Sequence, residues 1–362
     1  MTLIAPGKLP YLSSLATVCQ FLAKTKPLYM SNTMLQPKIF VAGHRGMVGS
    51  ALLRQLAVQG YEHIITRSRG ELDLCDDQAV SAFFATHRPD WVLIAAAKVG
   101  GIVANNQFPA DFIRDNLKIQ TNIMESAFRY QSERVLFLGS SCIYPRMAQQ
   151  PINESALLSG PLEPTNRAYA LAKIAGIEMC WSYNRQYATD LKTGFLAAMP
   201  TNLYGTGDNY HPTHSHVIPG LIRRFHEAML HRAKQVIVWG TGKPRREFMH
   251  ADDMAAACVH LIQLPNEQWR NLLACDRNDG EAPVVNVGVG HDISIAELAR
   301  LIAEVVGFMG EIHFDASKPD GTPQKLMSSE KLYRMFHHQP RSLRIGLEQT
   351  YREFVALYPR TV

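Results

Sequence analysis

The stretch Lys38–Gly49, KIFVAGHRGMVG, decides the fold of this 362-residue chain. It joins a short apolar strand, Lys38–Ala42, to glycines spaced G-x-x-G-x-x-G, and a helical pattern over Val48–Gln59 follows. Glycine is needed where the chain turns tightly and where backbone approaches a pyrophosphate, and a helix N-terminus offers free N–H groups to the anion. A glycine turn without ligand is the alternative, but the position between a strand and a helix favours a dinucleotide site. The predicted cofactor loop is Gly43, His44, Arg45, Gly46, Met47, Val48 and Gly49.

Strand-like and helix-like segments alternate after this loop. Apolar or β-branched runs predict strands, and leucine or alanine at i, i+3 or i+4 spacing predicts helices that pack on a sheet. Strands separated by helices predict an α/β fold, a Rossmann-type doubly wound parallel sheet with a smaller C-terminal substrate-binding α/β region. The predicted strands are Lys38–Ala42, His63–Thr66, Trp91–Ala95 and Val135–Gly139, the helices Val48–Gln59, Gln78–Thr86, Ala110–Tyr130 and Tyr169–Tyr187, and the loops Asp208–Val217 and Phe314–Gln324.

Three parts are predicted along the chain. Residues 1–37 carry Lys8, Lys24 and Lys26 as their only charges and contain internal methionines. We expect a disordered or mis-started leader there, and organellar targeting by this segment stays open as an alternative. Residues 38–200 should be mainly the dinucleotide-binding Rossmann domain. Residues 201–362 should be mainly the substrate-binding region, with some segments returning to the Rossmann domain.

Composition excludes several classes of protein. The net charge of +5 is not gathered into a basic block of the kind that binds nucleic acid. No run of 18 apolar residues is present, so no membrane span is predicted. The cysteines lack C-x-x-C spacing, which argues against a metal site and a disulfide framework and predicts reduced thiols in a cytoplasmic enzyme. They are Cys19, Cys75, Cys142, Cys180, Cys258 and Cys275.

The end of the second predicted strand indicates which cofactor binds. An NAD enzyme usually places Asp or Glu about 20 residues beyond the glycines, where it binds the ribose hydroxyls. Here the strand ends in Thr66-Arg67-Ser68-Arg69, and Arg45 lies within the glycine loop. A single arginine could be solvated surface, but several cations suit a 2′-phosphate. The sequence therefore predicts NADP(H), with Arg45, Arg67 and Arg69 near that phosphate.

A second group of residues carries the chemistry of a reductase. Ser140 follows the fourth predicted strand, at the sheet edge where ligands bind in open α/β folds. Tyr169 and Lys173 lie four apart on one helix face. A phenol has an ordinary pKa of about 10, so it needs a nearby cation to exchange protons at neutral pH. Lys173 supplies that cation, and Ser140 can hold a substrate carbonyl against the phenol.

These motifs resemble those of the extended short-chain dehydrogenase/reductase family, from about Lys38 to the C-terminus. The resemblance implies an enzyme that epimerises C3 and C5 of GDP-4-keto-6-deoxy-D-mannose and then reduces C4 with NADPH, giving GDP-L-fucose. The motifs that carry it are Ala42–Gly49 (AGHRGMVG), Ala95–Ala104 (AAAKVGGIVA), Leu138–Pro145 (LGSSCIYP), Met199–Gly205 (MPTNLYG), Ser215–Pro219 (SHVIP), Arg246–Asp253 (REFMHADD) and Phe314–Pro323 (FDASKPDGTP).

Epimerisation beside a ketone needs one group to remove an α-proton and another to return a proton from the opposite face. Cys142 lies beside the predicted reductase serine, and a thiolate is a competent base when neighbouring charge lowers its pKa. Histidine donates protons near neutrality. His211, His214 and His216 lie in one loop, and the resemblance, through Ser-His-Val-Ile-Pro, selects His216.

The resemblance also implies binding residues and an assembly. Holding a pyrophosphate and a guanine is a task for arginine forks, lysines and an aromatic face. Ala110–Tyr130 and Tyr169–Tyr187 would form a four-helix bundle between the subunits of a homodimer. The implied cofactor contacts are Leu138, Gly139, Lys173, Pro200, Asn202, Leu203 and His216, and the implied substrate contacts are Asn202, Arg224, Trp239, Arg246, Asp320 and Lys325.

Two departures from the family pattern affect the predicted site. Leu191–Met199 is longer than expected, which predicts a bulge or an added turn, and Arg167-Ala168 stands where Glu-Pro is usual, which predicts an altered helix entry. Two other functions stay open. A related nucleotide-sugar epimerase or dehydratase would share the fold, although a dehydratase should place an acidic pair after the strand-end serine. A non-catalytic NADP-binding relative should have lost catalytic positions that this chain keeps.

Overall fold

The structure, a computed structural model, describes residues 36–190, 192–212, 214–273, 282–318 and 320–358. The predicted leader lies outside the described residues apart from its last two positions, as do Cys19 and Cys275. In chain order the strands are β1 (Ile39–Ala42), β2 (Ile64–Ile65), β3 (Trp91–Ile94), β4 (Arg134–Leu138), β5 (Gly194–Pro200), β6 (Asn202–Tyr204), β7 (Gln235–Trp239), β8 (Arg245–Arg246), β9 (Phe248–His250), β10 (Val284–Val287), β11 (Ile293–Ser294), β12 (Glu311–Asp315) and β13 (Gln324–Lys325).

Six of these strands form the main sheet, in the order β10-β5-β4-β3-β1-β2, and each neighbouring pair is parallel. β1, β4 and β5 are buried along their whole length, as parallel strands are when helices cover both faces. The Rossmann-type doubly wound α/β fold is thereby confirmed. The helices are α1 (Met47–Val58), α2 (Asp77–His87), α3 (Ile102–Gln107), α4 (Pro109–Arg129), α5 (Arg167–Gln186), α6 (Val217–Leu230), α7 (Ala251–Gln263), α8 (Asn266–Leu272), α9 (Ile295–Val306), α10 (Glu330–Tyr333) and α11 (Leu343–Leu357).

Helices on both faces of the main sheet create two hydrophobic cores. On one face α1 packs on α7, and the core there contains Leu52 and Met254. On the other face α2, α4 and α5 bury Phe84, Ile123 and Ile177. Burying each such side chain stabilises the fold by about 1.5–3 kcal/mol. The apolar spacing that predicted four strands and four helices is confirmed, and every predicted end lies within two residues of the observed one.

A third core lies outside the main sheet. α6, α9 and α11 enclose it together with the two-stranded sheet of β7 and β12, and it contains Phe225, Val238, Ile302 and Leu347. Two later segments nevertheless belong to the main sheet and its helices, because β10 pairs with β5 and α7 packs on α1. The division of the chain at residue 200 stays a prediction.

Two details of the sequence analysis need correction. β5 runs unbroken from Gly194 to Pro200, paired with β4 on one side and β10 on the other, so the bulge predicted for Leu191–Met199 is wrong. A 3₁₀ turn at Ala188–Asp190 precedes that segment, and the added turn, the other expectation, stays a prediction. The predicted loop Phe314–Gln324 is shorter than expected, because its first two residues end β12, which pairs with β7, and its last residue begins β13.

One buried carboxylate links the main sheet to β8 and β13. Glu247 lies between β8 and β9 and has no exposed surface. Its carboxylate accepts hydrogen bonds from the backbone N–H groups of Val289 (2.6 Å) and Gly290 (2.8 Å), just after β10, and of Met327 (3.1 Å), just after β13. Burial raises the pKa of Glu247, and these three N–H groups oppose the rise because they stabilise the carboxylate.

No helix among the described residues is long and apolar enough to cross a membrane. Within the same ranges, no group of three or more His, Cys, Asp or Glu side chains could hold a metal ion. The four described cysteines are free thiols. Cys75 is half-buried, and the other three, Cys142, Cys180 and Cys258, are buried.

Arg134 fixes the start of β4 to the end of α7. Its buried guanidinium lies between two tryptophan rings, with ring centroids 5.6 and 5.2 Å away. It donates hydrogen bonds to two carbonyl oxygens and one side-chain amide oxygen, at 2.5–2.7 Å. The rings belong to Trp91 and Trp269, and the acceptors to Ile262, Leu264 and Asn266.

Arg134→Ala should lower the free energy of unfolding by about 3 kcal/mol, because it leaves buried acceptors without a donor and a void between the rings. Arg129→Ala is the matched control: that side chain is exposed and forms an ion pair with Glu125, so we expect a change below about 1 kcal/mol. Urea denaturation followed by tryptophan fluorescence measures both. Equal losses in the two variants would contradict a stabilising role for the buried guanidinium.

Candidate active site

The turn between β1 and α1 can accept a phosphate only because of its glycines. Gly43 has a φ of 85°, and a Cβ there would lie 2.6 Å from the backbone nitrogen of Ala96. A Cβ on Gly49 would collide with the carbonyl oxygen of Gly43. No side chain caps α1 at Gly46, so the first N–H groups of the helix stay available to an anion. The turn fits a dinucleotide pyrophosphate.

A cavity of about 800 Å³ begins at this turn and extends along the carboxyl edge of the main sheet. Its volume is that of a cofactor or ligand pocket. His44 and Arg45 are the predicted cofactor residues that do not line it, and Arg45 is exposed near Glu71 instead. The predicted cofactor residues that do line it are Gly43, Gly46, Met47, Val48, Gly49, Arg67, Arg69, Leu138, Gly139, Lys173, Pro200, Asn202, Leu203 and His216.

The two arginines after β2 differ in their surroundings. Arg67 donates a hydrogen bond to the carbonyl of Thr66 (2.8 Å), lies 3.0 Å from Nε2 of His87, and stacks 5.5 Å from the ring of Phe83. These contacts fix its guanidinium. Arg69 lines the same end of the cavity. Both cations are therefore placed where a 2′-phosphate could be bound.

The three predicted reductase residues meet at the other end of the cavity. α5 places Tyr169 and Lys173 on one face, and the loop after β4 supplies Ser140. Lys173 donates a hydrogen bond to the carbonyl of Leu138 (2.8 Å), and its ammonium lies 5.8 Å from the Tyr169 ring. Burial lowers the pKa of Lys173 to about 8. Burial and the charge of Cys142 raise the pKa of Tyr169, while a hydrogen bond with Ser140 opposes this rise.

Cys142 and His216 belong to different loops of the site. Cys142 is 7% exposed, its backbone N–H donates to Oγ of Ser140 (3.4 Å), and it is not among the residues that line the cavity. Burial raises the pKa of the Cys142 thiol, and the charges of Lys325 and then Lys173 oppose this rise. His216 precedes α6 and lines the cavity, and the surrounding protein lowers its pKa.

The residues implied for substrate binding form a surface next to the cavity, and only Asn202 lines the cavity itself. Trp239 is 61% exposed at the end of β7, with the ammonium of Lys318 over its ring at 5.6 Å. Arg224 donates to the carbonyl of Ile237 in the same strand (2.9 Å). Asp320 accepts hydrogen bonds from the backbone and side chain of the loop after β7 (2.9 and 2.6 Å). Arg246 and Lys325 are register partners in β8 and β13.

The unusual Arg167-Ala168 pair does not disturb the entry to α5. Both residues belong to the first turn of the helix, and a 3₁₀ turn precedes them. Oε2 of Glu163 accepts hydrogen bonds from the backbone N–H groups of Thr165 (3.0 Å) and Asn166 (3.2 Å), which fixes this turn. The helix therefore still presents Tyr169 to the site.

Several polar residues line the cavity without having been predicted. Lys98 follows β3 and pairs with Asp111 (3.2 Å) and Asp115 (3.0 Å) of α4. Asp208 lies in the loop after β6, and burial raises its pKa to about 7. Lys98 could have been predicted as a site residue from its position just after a strand, because ligands bind at that edge of the sheet. Nothing in the local sequence distinguished Asp208.

Comparison with known proteins defines the class. The sequence profile of the NAD dependent epimerase/dehydratase family matches residues 39–273. Among solved structures, MlghC, the GDP-mannoheptose C4 reductase from Campylobacter jejuni with NADP bound, is similar with a TM-score of 0.79 and 35% identity, covering 89% of this chain and 99% of that one. The chain therefore belongs to the NAD dependent epimerase/dehydratase family.

Within that family the chain is similar to proteins named GDP-L-fucose synthase. The Escherichia coli (strain K12) GDP-L-fucose synthase is 53% identical over 322 residues, which is 89% of this chain and 98% of that protein. The putative GDP-L-fucose synthase 2 of Arabidopsis thaliana is 54% identical over 318 residues, 88% of this chain and 92% of that protein. These matches agree with the motifs that first indicated the family.

Proposed function

We propose that this protein epimerises C3 and C5 of GDP-4-keto-6-deoxy-D-mannose and reduces C4 with NADPH, which gives GDP-L-fucose. The observation that carries the proposal is the meeting of Ser140, Tyr169 and Lys173 at one end of a dinucleotide cavity, with the thiol of Cys142 buried behind the cavity lining next to Ser140. The similarity to GDP-L-fucose synthases over most of their length supports the choice of substrate.

The cavity suits NADP(H) along its whole length. The glycine turn and the start of α1 would hold the pyrophosphate, and Arg67 and Arg69 would hold the 2′-phosphate. Tyr169 and Lys173 would lie against the nicotinamide half, because they line the end of the cavity remote from the arginines. When bound, NADPH supplies the hydride for C4.

Arg69→Asp should raise the Kd for NADPH by about tenfold or more, because it replaces a charge-assisted hydrogen bond to the 2′-phosphate with repulsion, and should change the Kd for NADH far less. Fluorescence titration of each cofactor measures both constants. Arg45→Asp is the matched charge reversal at an exposed residue outside the cavity lining, and we expect a smaller effect there. Equal losses for NADPH and NADH in Arg69→Asp would contradict the assignment.

The epimerase step rests on two groups. As thiolate, Cys142 takes a proton from the carbon beside the C4 ketone, and the electron pair of that C–H bond moves into an enolate. His216, as the acid, returns a proton to the opposite face of the same carbon. Its lowered pKa makes the imidazolium a stronger acid but leaves a smaller fraction of it protonated at neutral pH. Ser140 would stabilise the enolate oxygen through a hydrogen bond.

The reductase step uses the other three residues. Tyr169 donates its phenolic proton to the C4 oxygen while Ser140 holds that oxygen by a hydrogen bond. The phenolate that results is stabilised by the ammonium of Lys173, which lies beside the tyrosine ring. Since the pKa of Lys173 is about 8, this stabilisation is largely present at neutral pH and is lost as the pH rises through that value.

The two alternatives fit the site less well. A dehydratase would need an acidic pair after Ser140, where the chain has Ser141 and Cys142. A non-catalytic relative would not need to keep a buried lysine next to a half-buried tyrosine that lines the cavity. Incubating the purified protein with GDP-4-keto-6-deoxy-D-mannose and NADPH, with NMR identification of the product, tests the proposal. Formation of the unepimerised C4 alcohol, or of no product, would overturn it.

The two half-reactions should fail separately. Tyr169→Phe removes the proton donor to C4, so it should abolish NADPH oxidation while solvent deuterium still washes into the sugar at C3 and C5. Cys142→Ser should lower that wash-in by roughly two orders of magnitude or more, because it removes the base. NMR of the sugar in D₂O measures the exchange. Formation of GDP-L-fucose at the unmodified rate by Cys142→Ser would show that the thiol is structural.

We also propose a homodimer and a cytoplasmic location. α4 and α5 pack along each other, and Leu171 of α5 is 39% exposed, as expected if these helices form a bundle with a second copy. The four free thiols among the described residues suit a reducing compartment. Light scattering at micromolar concentration should give twice the mass of one chain. A monomer under those conditions would contradict the dimer.

A further inference from the structure

We propose that Phe112 is a positioning residue for the reduction step, whose ring holds the phenol of Tyr169 in place. The proposal rests on the function given above, in which that phenol donates a proton to the C4 oxygen. Phe112 lies in the first turn of α4 and is 3% exposed. Among the residues that the structure describes, it belongs to none of the three hydrophobic cores. Its ring is therefore buried by other elements, and these belong to the site.

The ring of Phe112 packs edge to face with the ring of Tyr169. The two ring centroids are 6.3 Å apart, and the angle between the ring planes is 88°. Aromatic pairs favour this arrangement, because the positive edge of one ring meets the negative face of the other. The contact restricts rotation of the Tyr169 side chain about its Cα–Cβ bond, and that rotation would move the phenol oxygen away from the substrate.

The loop after β3 also packs against the ring of Phe112. The tip of this ring is so close to Gly100 that a Cβ there would lie 3.0 Å from Cζ of Phe112. The ammonium of Lys98 lies 5.9 Å from the ring centroid, and two carboxylates of α4 fix that ammonium through ion pairs of 3.2 and 3.0 Å. The ring of Phe112 therefore joins this loop to the side chain of Tyr169 on α5.

The backbone of Phe112 is bound to the same loop through the buried side chain of Asn116. The amide of Asn116 donates hydrogen bonds to the carbonyl oxygens of Phe112 (2.7 Å) and Lys98 (3.0 Å). Its Oδ1 accepts a hydrogen bond from the N–H of Lys98 (2.9 Å). The first turn of α4 therefore cannot shift relative to the loop without breaking these bonds, and the ring of Phe112 extends from a fixed backbone.

Phe112 lies behind the cavity lining. It is not among the residues that line the cavity, whereas Lys98, Gly100 and Tyr169 are. The ring can therefore orient the phenol but does not bind cofactor or substrate. The ammonium of Lys173 also lies near the Tyr169 ring, at 5.8 Å. Since a misplacement of about 1 Å can slow a reaction by roughly a hundredfold, the orientation of this phenol affects the rate of reduction.

The test is Phe112→Leu in the full-length protein, which keeps an apolar side chain and removes the ring. Single-turnover oxidation of NADPH at saturating substrate should be about tenfold slower, because the phenol is no longer held in one orientation. The KM for the substrate and the Kd for NADPH should change less than about twofold, because Phe112 binds neither. Deuterium wash-in at C3 and C5 should keep its unmodified rate, since Phe112 does not hold the epimerase residues. Phe112→Met, a second variant without the ring, should behave in the same way.

Phe128→Leu is the matched control. Phe128 lies near the end of α4, and its ring contacts Tyr183 and Tyr187 of α5, with centroids 4.9 and 4.4 Å away. The same substitution there removes aromatic contacts between the same two helices, about four turns along α5 from Tyr169, so NADPH oxidation should be unchanged. Urea denaturation reports that each variant is folded. Equal slowing in the two leucine variants would show a general effect of helix packing and would overturn the proposal.

A measurement without substrate separates this proposal from the function on which it rests. In protein whose tyrosines carry ¹³C at the ring carbon that bears the hydroxyl, the NMR signal of Tyr169 is identified by its absence in Tyr169→Phe. That signal should broaden or split in Phe112→Leu and stay single in Phe128→Leu, because only the first variant frees the ring. A single sharp signal in Phe112→Leu, or an unchanged rate of NADPH oxidation, would overturn the proposal. Absence of turnover by the unmodified protein, with a broadened signal in Phe112→Leu, would refute the proposed function instead.

Discussion

The buried carboxylate of Glu247 is the interaction on which the candidate site depends. The carboxylate accepts hydrogen bonds from backbone N–H groups of two separate chain segments. One segment contains Val289 and Gly290, and the other contains Met327, which is 80 residues from Glu247. The backbone carbonyl oxygen of Glu247 accepts hydrogen bonds from the side chains of Thr201 (3.1 Å) and Asn202 (2.8 Å). Burying a carboxylate costs several kcal/mol, and charge-assisted bonds to backbone N–H groups offset that cost. The place of β13 relative to the main sheet follows from these bonds.

A second constraint on the site is that its titratable side chains lie close together and have little contact with solvent. Burial disfavours the charged forms of Tyr169, Lys173 and Cys142 alike. A negative charge on Cys142 would therefore raise the pKa of both Tyr169 and Lys173. Reduction and epimerisation draw on the same electrostatic field although they use different proton carriers.

The features that could be predicted from sequence are those with local causes. The glycine turn depends on residues within seven positions of each other, and Tyr169 and Lys173 share a helix face because they lie four positions apart. Glu247 could not be found in this way, because its partners are set by strand pairing over long distances. The glycine spacing placed Arg45 in the cofactor loop but could not show where its side chain points. In the structure Arg45 does not line the cavity. The bulge expected in β5 was wrong, because the strand pairs without interruption on both sides from Gly194 to Pro200.

The order of strands in the main sheet affects how the chain folds as it is synthesised. β5 needs β10 on one side, and their paired residues, such as Ala197 and Val284, are 87 positions apart. At a translation rate of about 5–20 residues per second, the edge of β5 stays unpaired for roughly 4–17 seconds after it emerges from the ribosome. That edge is apolar and buried in the finished protein, so it is a surface on which nascent chains could aggregate. Chaperones that shield apolar strands would be needed most during this interval.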